Sequence, residues 1–440
     1  MSTLADSSVS PSGRAVPHQP RHTAARLPQR PLCAICGTGT VERLLDLGQA
    51  PVVVGDTLND GVETVAPLRL ARCDRCGVLQ LEDTLSLQAR HLVATAASQR
   101  AFAGRPDSAR RFCEDAIDRW RLRGDGQIVE IGSGTGSLLR FFRAWQLPVL
   151  GIEADPRLTR YARLRRIPTW RATFDAAVAG RIARSDMLAD LVVVSTPTGA
   201  FDDIVGLFTA ASMVLRPAGV LTMEVPDVLR IVGRTRFDGL RHTDVLLPSI
   251  GQLQQIVADH GLDLVDVERG GPADDRLRVW IRKREEGVET VAHPRLRTRL
   301  RAESANGVEH AGAVAGFVNR VELVRRQIRS LLDQAREQAC TVALWGTSTE
   351  AVAMAFAAGI SRRDVAYAVD PEAVNACAML QSTDVPILGP ADIVDRRPDL
   401  VLALDDLPLP PPGWEGAPIY AVSDLVDLVH RMTATTQVAR

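Results

Sequence analysis

The chain has 440 residues, 46% of them apolar, and carries 52 basic against 53 acidic side chains. That length is too great for one compact core and predicts two or three domains, while arginines interspersed among acids give no electrostatic case for nucleic acid. No apolar run reaches the length of a membrane span and the polar N-terminus lacks the apolar stretch of a signal peptide, so a cytoplasmic protein outside the membrane is expected.

Residues 1–28, rich in Ser, Pro, Arg and Ala without periodicity, read as a disordered leader. The segment 29–90 holds Cys33-Ala-Ile-Cys36 and, thirty-six residues on, Cys73-Asp-Arg-Cys76. Each CxxC turns two thiolates toward one ion, and the interval lets a loop or hairpin fold back over it. This predicts a structural Zn2+ held by four cysteines, with no open position for chemistry. Gly37 and Gly77, after each pair, suit a turn that frees backbone N–H groups toward sulfur. Cys113, Cys340 and Cys377 remain, an odd set expected to be reduced thiols of a cytosolic protein.

Residues 91–285 read as an α/β domain. Gln127-Ile-Val-Glu-Ile-Gly-Ser-Gly-Thr-Gly136 is a short apolar strand that runs into Gly132, Gly134 and Gly136 and then a helix, a turn at which a ligand meets bare backbone. Such a loop serves dinucleotides and S-adenosylmethionine (SAM) alike. Glu130 at the strand's end favours SAM, and Glu153, twenty-one residues after Gly132, is placed with Ala154 to meet ribose hydroxyls. Further strands are expected at Ala189–Ser195 and Val220–Val225, a helix over Phe201–Leu215, another from Ser249 to His260, and a closing antiparallel pair at Leu262–Val267 and Arg276–Ile281. Asp186, just ahead of the strand near Leu191, is a candidate for the adenine amino group. The only lysine, Lys283, reads as a compositional accident.

Residues 286–338 are expected to be a charged crossing and packing helices, with Val318, Val321, Val324, Ile328 and Leu331 as an apolar stripe. A second strand-to-glycine turn at Cys340–Ser348, and strands at Val365–Asp370, Asp399–Leu404 and Ala417–Val422, predict a doubly wound α/β domain over 339–430. Residues 431–440 are expected to be a flexible tail.

This order of motifs resembles the SAM-dependent C-3 methyltransferases of nucleotide-linked deoxysugars, from Leu32 to about Leu404. The residues that carry the likeness are Cys33–Gly37, Leu45-Asp-Leu-Gly48, Cys73–Leu81, Glu130–Gly136, Gly151-Ile-Glu153 and Gly219–Pro226. The resemblance implies a four-cysteine zinc module, a seven-stranded SAM-binding domain with Ser133 in its cofactor loop and Ser195 after its fourth strand, and a C-terminal Rossmann-like domain.

The catalytic segment departs from that family. Members carry tyrosine–histidine–glutamate–histidine, the second histidine being the proposed base; here the stretch reads Arg241-His242-Thr243-Asp244, so Asp244 stands at the base position and only His242 keeps its identity. An aspartate is ordinarily a weaker base than imidazole by about 2.6 pKa units, which points to His242 as a substitute base, with Arg241 free to meet a phosphate or carboxylate. His91 and Arg90 could reach the same cleft. The expected function is SAM-dependent methyl transfer to a small biosynthetic metabolite, a nucleotide-linked sugar being the class implied, at C, N or O. The alternative is a non-catalytic scaffold that keeps the cofactor fold without turnover. Neither nucleic acid nor membrane is expected as a partner, and monomer and dimer both stay open.

Overall fold

The computed structural model describes residues 21–24, 31–52, 62–83, 85–86, 90, 93, 106–195, 198–201, 203–270, 276–370, 379–380, 383–389, 392–393, 396–404, 414 and 416–438. Packing divides the chain into two compact units, the larger formed by residues 24–53, 64–323 and 429–440 and the smaller by residues 1–23, 54–63 and 324–428. A short strand, β1 (Arg21–Ala24), lies within the stretch expected to be disordered. The rest of that leader falls outside the described residues.

The larger unit opens with an antiparallel pair, β2 (Val41–Pro51) and β3 (Val62–Cys73), in register from Val41 opposite Cys73 to Pro51 opposite Val65. β4 (Leu79–Leu81) adds to β3. The chain then alternates through α1 (Pro106–Trp120), β5 (Ile128–Ile131), α2 (Leu139–Ala144), β6 (Val149–Glu153), α3 (Pro156–Leu164), β7 (Thr169–Arg171), α4 (Ala176–Arg184), β8 (Ala189–Val194), α5 (Ile204–Val214) and β9 (Leu215–Pro226). It closes through α6 (Val228–Arg234), β10 (Leu246–Leu247), α7 (Ile250–Ala258), β11 (Leu262–Arg269), β12 (Arg276–Lys283), α8 (Pro294–Asn306) and α9 (Ala311–Glu337).

Seven strands form one sheet in the order β11-β12-β9-β8-β5-β6-β7, parallel except for β12, which runs against both neighbours. The inner strands β5 and β8 are apolar almost throughout because helices cover both faces. Alternation then splits their side chains. Ile128, Leu191 and Val193 pack with α1 and α2, while Val129, Ile131, Val192 and Val194 pack with α4, α5 and α7. Asp155, Asp175, Asp203, Asp227 and Ser249 each accept a backbone N–H at the start of the helix that follows, so five helix origins at this sheet are set by short polar side chains.

β10 pairs with β4, Leu246 opposite Gln80 and Leu247 opposite Leu79, so a segment from the later domain completes the sheet of the cysteine region. The expected boundary at residue 90 is thus a boundary along the chain that packing crosses. Lys283, expected to be incidental, donates from Nζ to the carbonyls of Ser212 and Leu215, both at 2.7 Å, and closes the C-terminal end of α5. Partial burial lowers its pKa below the usual lysine value.

The smaller unit carries β13 (Val342–Trp345), α10 (Thr349–Ala357), β14 (Tyr367–Val369), β15 (Ile387–Leu388), β16 (Leu400–Ala403) and β17 (Ile419–Ala421), a parallel sheet in the order β15-β14-β13-β16-β17. In α9 the buried line is Phe317, Val321, Val324, Ile328 and Leu332; the larger Phe317 takes the inward position expected for Val318, and Leu332 that of Leu331. The last helix, α11 (Val422–Val438), runs through most of the expected flexible tail, since no Gly or Pro interrupts it. Among the described residues, no helix is long and apolar enough to cross a membrane.

Candidate functional site

The parallel strands β5, β6 and β8 bring their C-terminal ends to one edge of the large sheet, where a doubly wound fold leaves its binding crevice. Gly132, Gly134 and Gly136 follow β5 with φ of +72°, +55° and +75°, a left-handed path that side chains disfavour. A Cβ on Gly136 would also come within 2.9 Å of Ile167. The loop is tied to β6: the Gly132 N–H donates to the Ile152 carbonyl at 2.8 Å, and the Gly134 N–H to Glu153 Oε2 at 2.8 Å. Glu153 Oε1 accepts from the Asp155 N–H, also at 2.8 Å. One buried carboxylate thereby fixes the glycine loop and the start of α3, and each oxygen keeps lone-pair capacity for a further donor. Ala154, between the two, is half-buried.

Glu130 stands beside the loop with Oε1 accepting from the Ser195 hydroxyl at 2.7 Å and Oε2 buried without a partner. Burial, offset in part by the Ser195 hydrogen bond and reinforced by the charge of Glu153, pushes its carboxyl up to about 8. Ser133 Oγ is likewise buried and unpartnered, and it lies where a side chain on Gly151 would stand, 2.4 Å from that Cβ position. Gly151 is therefore required by the loop on the neighbouring strand, a role invisible in a pattern centred on residues 130–136.

Asp186 lies elsewhere. It occupies the exposed turn after α4, at φ +55°, and leads into the N-terminal end of β8, the edge of the sheet opposite the glycine loop. Distance along the chain to a strand did not reveal which end of that strand faces the ligand. The acid that follows β7 on the crevice side is Asp175, whose side chain caps α4.

The sulfurs of Cys33, Cys36, Cys73 and Cys76 lie within 4.8 Å of one another, with Cys33–Cys76 and Cys36–Cys73 at 3.7 Å. Zn–S bonds of about 2.3 Å place the sulfurs of a tetrahedron about 3.8 Å apart, so the cluster fits such an ion. The N–H groups of Ile35, Gly39, Arg75 and Cys76 point at the sulfurs, each at 3.4 Å. Gly39 escaped the sequence pattern, yet a Cβ there would sit 2.4 Å from Cys73 Sγ.

Residues 106–267 match a family model described as a methyltransferase domain, and residues 272–405 one described as a C-methyltransferase C-terminal domain. The C-methyltransferase NovU of Streptomyces niveus is 27% identical over 394 residues, which cover 88% of this chain and 90% of that protein. The chain is a SAM-dependent methyltransferase homologous to a C-methyltransferase. Among solved structures it is similar to the plantazolicin methyltransferase BpumL in complex with SAH, at 11% identity over 45% of this chain and 98% of that one, TM-score 0.33. A putative sarcosine dimethylglycine methyltransferase from Galdieria sulphuraria gives 13% identity over 40% and 85%, TM-score 0.29.

In this methyltransferase the segment 241–244 is a turn, the Asp244 N–H donating to the Arg241 carbonyl at 3.0 Å, packed on the 3-10 turn at Thr198–Ala200 that follows β8. The Gly199 N–H donates to the Thr243 carbonyl at 2.8 Å, and a Cβ on Gly199 would strike the His242 carbonyl. His242 does not suit the part of a base. It is 1% exposed, its Nε2 lies 2.9 Å from the Pro67 carbonyl and its Nδ1 3.3 Å from that of Pro51, so both nitrogens face the β2/β3 pair. Burial lowers its pKa, which keeps the ring neutral with one N–H to donate.

Asp244 is buried too. Its Oδ2 accepts from Arg276 Nη1 at 2.6 Å and from the Thr243 hydroxyl at 3.2 Å, whereas Oδ1 has no partner. Arg276, on β12, also donates from Nη2 to the Glu224 carbonyl at 3.1 Å. No pattern around residue 244 announced this arginine, because an antiparallel strand thirty-two residues away supplies it. Arg241 is half-buried at the same turn, and His91 lies outside the described residues. Asp227, at the end of β9, is engaged by Arg299, which also holds Glu303 at 2.8 Å.

Proposed function

We propose that this methyltransferase alkylates a carbon next to a ketone in a small biosynthetic metabolite, a nucleotide-linked sugar, with Asp244 as the base. The observation that carries this reading is the C-methyltransferase match that continues past the large sheet to residue 405. SAM supplies an electrophilic methyl group when bound. Residues 132–136 would pass beneath it with bare backbone, Glu153 would accept from the ribose hydroxyls, and Glu130 Oε2 would accept from the ammonium. Asp244 Oδ1 takes the proton from the carbon, while Arg276 holds the other carboxylate oxygen and fixes its aim. Arg241, at the same turn, is assigned to an anionic group of the acceptor. The cysteine cluster holds a structural zinc, and the chain divides into a zinc module at 29–90, a SAM-binding domain at 91–285, packing helices at 286–338 and a Rossmann-like domain at 339–430. The protein acts in the cytoplasm.

Isotope exchange separates carbon methylation from transfer to N or O. With a nucleotide-linked 4-keto sugar and S-adenosylhomocysteine in D2O, the enzyme is expected to exchange the carbon-bound proton beside the ketone. With labelled SAM the label is expected on that carbon. Label on N or O, or no product with any keto sugar, would remove this reading, the latter in favour of the scaffold.

Glu130 adds a pH signature. Its carboxyl, held up to about 8, is protonated in the free protein below that pH, and an ammonium partner requires the carboxylate. Binding of SAM must then expel a proton, so affinity is expected to rise roughly tenfold per pH unit between 6 and 8 and to level off above. Calorimetry in buffers of differing ionisation enthalpy reads this directly. Glu130→Gln is expected to abolish the slope, and a wild-type affinity flat from pH 6 to 8 would contradict the pairing.

A further inference from the structure

The even charge balance of the whole chain conceals a local imbalance. Between Arg140 and Arg184 there are ten arginines and three carboxylates. The three offset little of the surface charge: Glu153 is buried against backbone N–H groups, Asp175 caps α4, and Asp155, also buried at a helix start, pairs with Arg157 at 3.4 Å. A groove of about 320 Å³ between α3 and the edge strand β7 is lined by Arg160, Arg163 and Arg171 together with Leu164. Arg163 is spent on the Thr169 carbonyl at 2.8 Å, whereas Arg160 and Arg171 are exposed and make no pair among the described residues. Large apolar groups share this face: Trp145 is 57% exposed, Tyr161 58% and Leu164 69%. Arg143, beside Trp145, reaches the carbonyl of Arg166 just past α3, so the two helix ends form one surface. Arginine with exposed aromatic and aliphatic side chains is the composition of an interface centre.

The same unit carries the complement. After β12 the chain runs Glu285-Glu286-Gly287-Val288-Glu289-Thr290-Val291, exposed throughout residues 285–289. The three glutamates make no side-chain pair among the described residues, and the adjacent Arg284 is held by Asp263 at 2.8 Å. Val288 is 47% exposed and Val291 79%, the highest exposure among the large apolar residues of the described chain. One face offers unpaired guanidinium groups around apolar side chains, and the other offers unpaired carboxylates around apolar side chains.

We infer that the chain self-associates, with the acidic loop at residues 285–291 of one copy seated on the α2–α3–β7 face of another and its glutamates meeting Arg160 and Arg171. A second copy fits better than nucleic acid: the chain as a whole carries a net charge of −1, too little field to hold a polyanion, while a short acidic loop needs only this local patch. Contact between two different surfaces closes as a pair only if each copy gives both; otherwise it builds a ring or a chain.

Sedimentation of the full-length protein tests this. In low salt, wild type is expected to associate at micromolar concentration, and 0.5 M NaCl is expected to weaken association at least about tenfold through screening. Arg160→Glu with Arg171→Glu, and separately Glu285→Arg with Glu286→Arg, should each give a monomer with an unchanged melting temperature. Mixing the two variants should restore association, because each retains the surface the other lacks. A wild type that stays monomeric at 100 μM in low salt overturns the proposal. So does association that survives both charge reversals, or a mixture that stays monomeric. Association with single-stranded oligonucleotide alone, lost in the arginine variant, would assign the face to nucleic acid instead.

Discussion

Asp244→Asn is expected to lower methyl transfer at least about a hundredfold, the lower bound for a positioned general base, with SAM affinity within a few-fold of wild type. Asparagine keeps a carbonyl oxygen for Arg276 and the Thr243 hydroxyl, so the turn at 241–244 keeps its hydrogen bonds while the unpartnered oxygen position loses its basicity. Breaking a buried ion pair can itself cost about 3–5 kcal/mol when a charge is left alone, and rates must therefore be taken on protein shown folded by its SAM titration. His242→Ala is the control. It removes a buried ring that spans Pro51 and Pro67, and its expected effect is a loss of about 1–3 kcal/mol in stability with turnover per folded enzyme nearly intact. A variant Asp244→Asn within threefold of wild type, or a His242→Ala enzyme that folds normally and does not turn over, would reverse the two roles.

Cys73→Ser should have the second large effect. Wild type is expected to carry about one zinc per chain, and the variant close to none, because metal binding and ordering of such a small region are one equilibrium, with about 10–16 kcal/mol of apparent binding energy in isolated zinc modules. The damage should spread. β3 ends at Cys73, the same strand carries Pro67, whose carbonyl faces His242, and β4 pairs with β10, which begins two residues after Asp244. Loss of metal should thus cut methyl transfer although no cysteine meets the substrate. Elemental analysis with thermal melting checks this, and unchanged zinc content with unchanged melting would dismiss the metal.

Much of the fold could be read from local patterns. The two strand-to-glycine turns, the buried runs at 128–131 and 189–194 and the Ser249 cap all stand in the structure within a few residues of expectation. The paired CxxC motifs do converge. Each of these signals is carried by residues adjacent in the chain. The failures share a different cause. Asp186 sits at the right distance from a strand but at its wrong end, which only the direction of the parallel sheet decides. His242 carries the chemistry of a base, but two proline carbonyls from a hairpin some 175 to 191 residues earlier occupy it. Arg276, Gly39 and Gly151 act through partners on other strands, and nothing in their immediate neighbours marks them. The evenness of the total charge likewise hid a surface on which arginines outnumber acids about three to one.

Lys283 ties its ammonium to the two carbonyls that close α5. With no other lysine in the sequence, amine-selective labels and cross-linkers have a single side chain to find, and that one is engaged. Lysine acetylation or ubiquitination could then occur at no other side chain, and would have to pull the end of a helix apart first. Chemical footprinting of this enzyme's surface must go through guanidinium or carboxyl groups, which are also the groups that distinguish the arginine-rich face from the acidic loop.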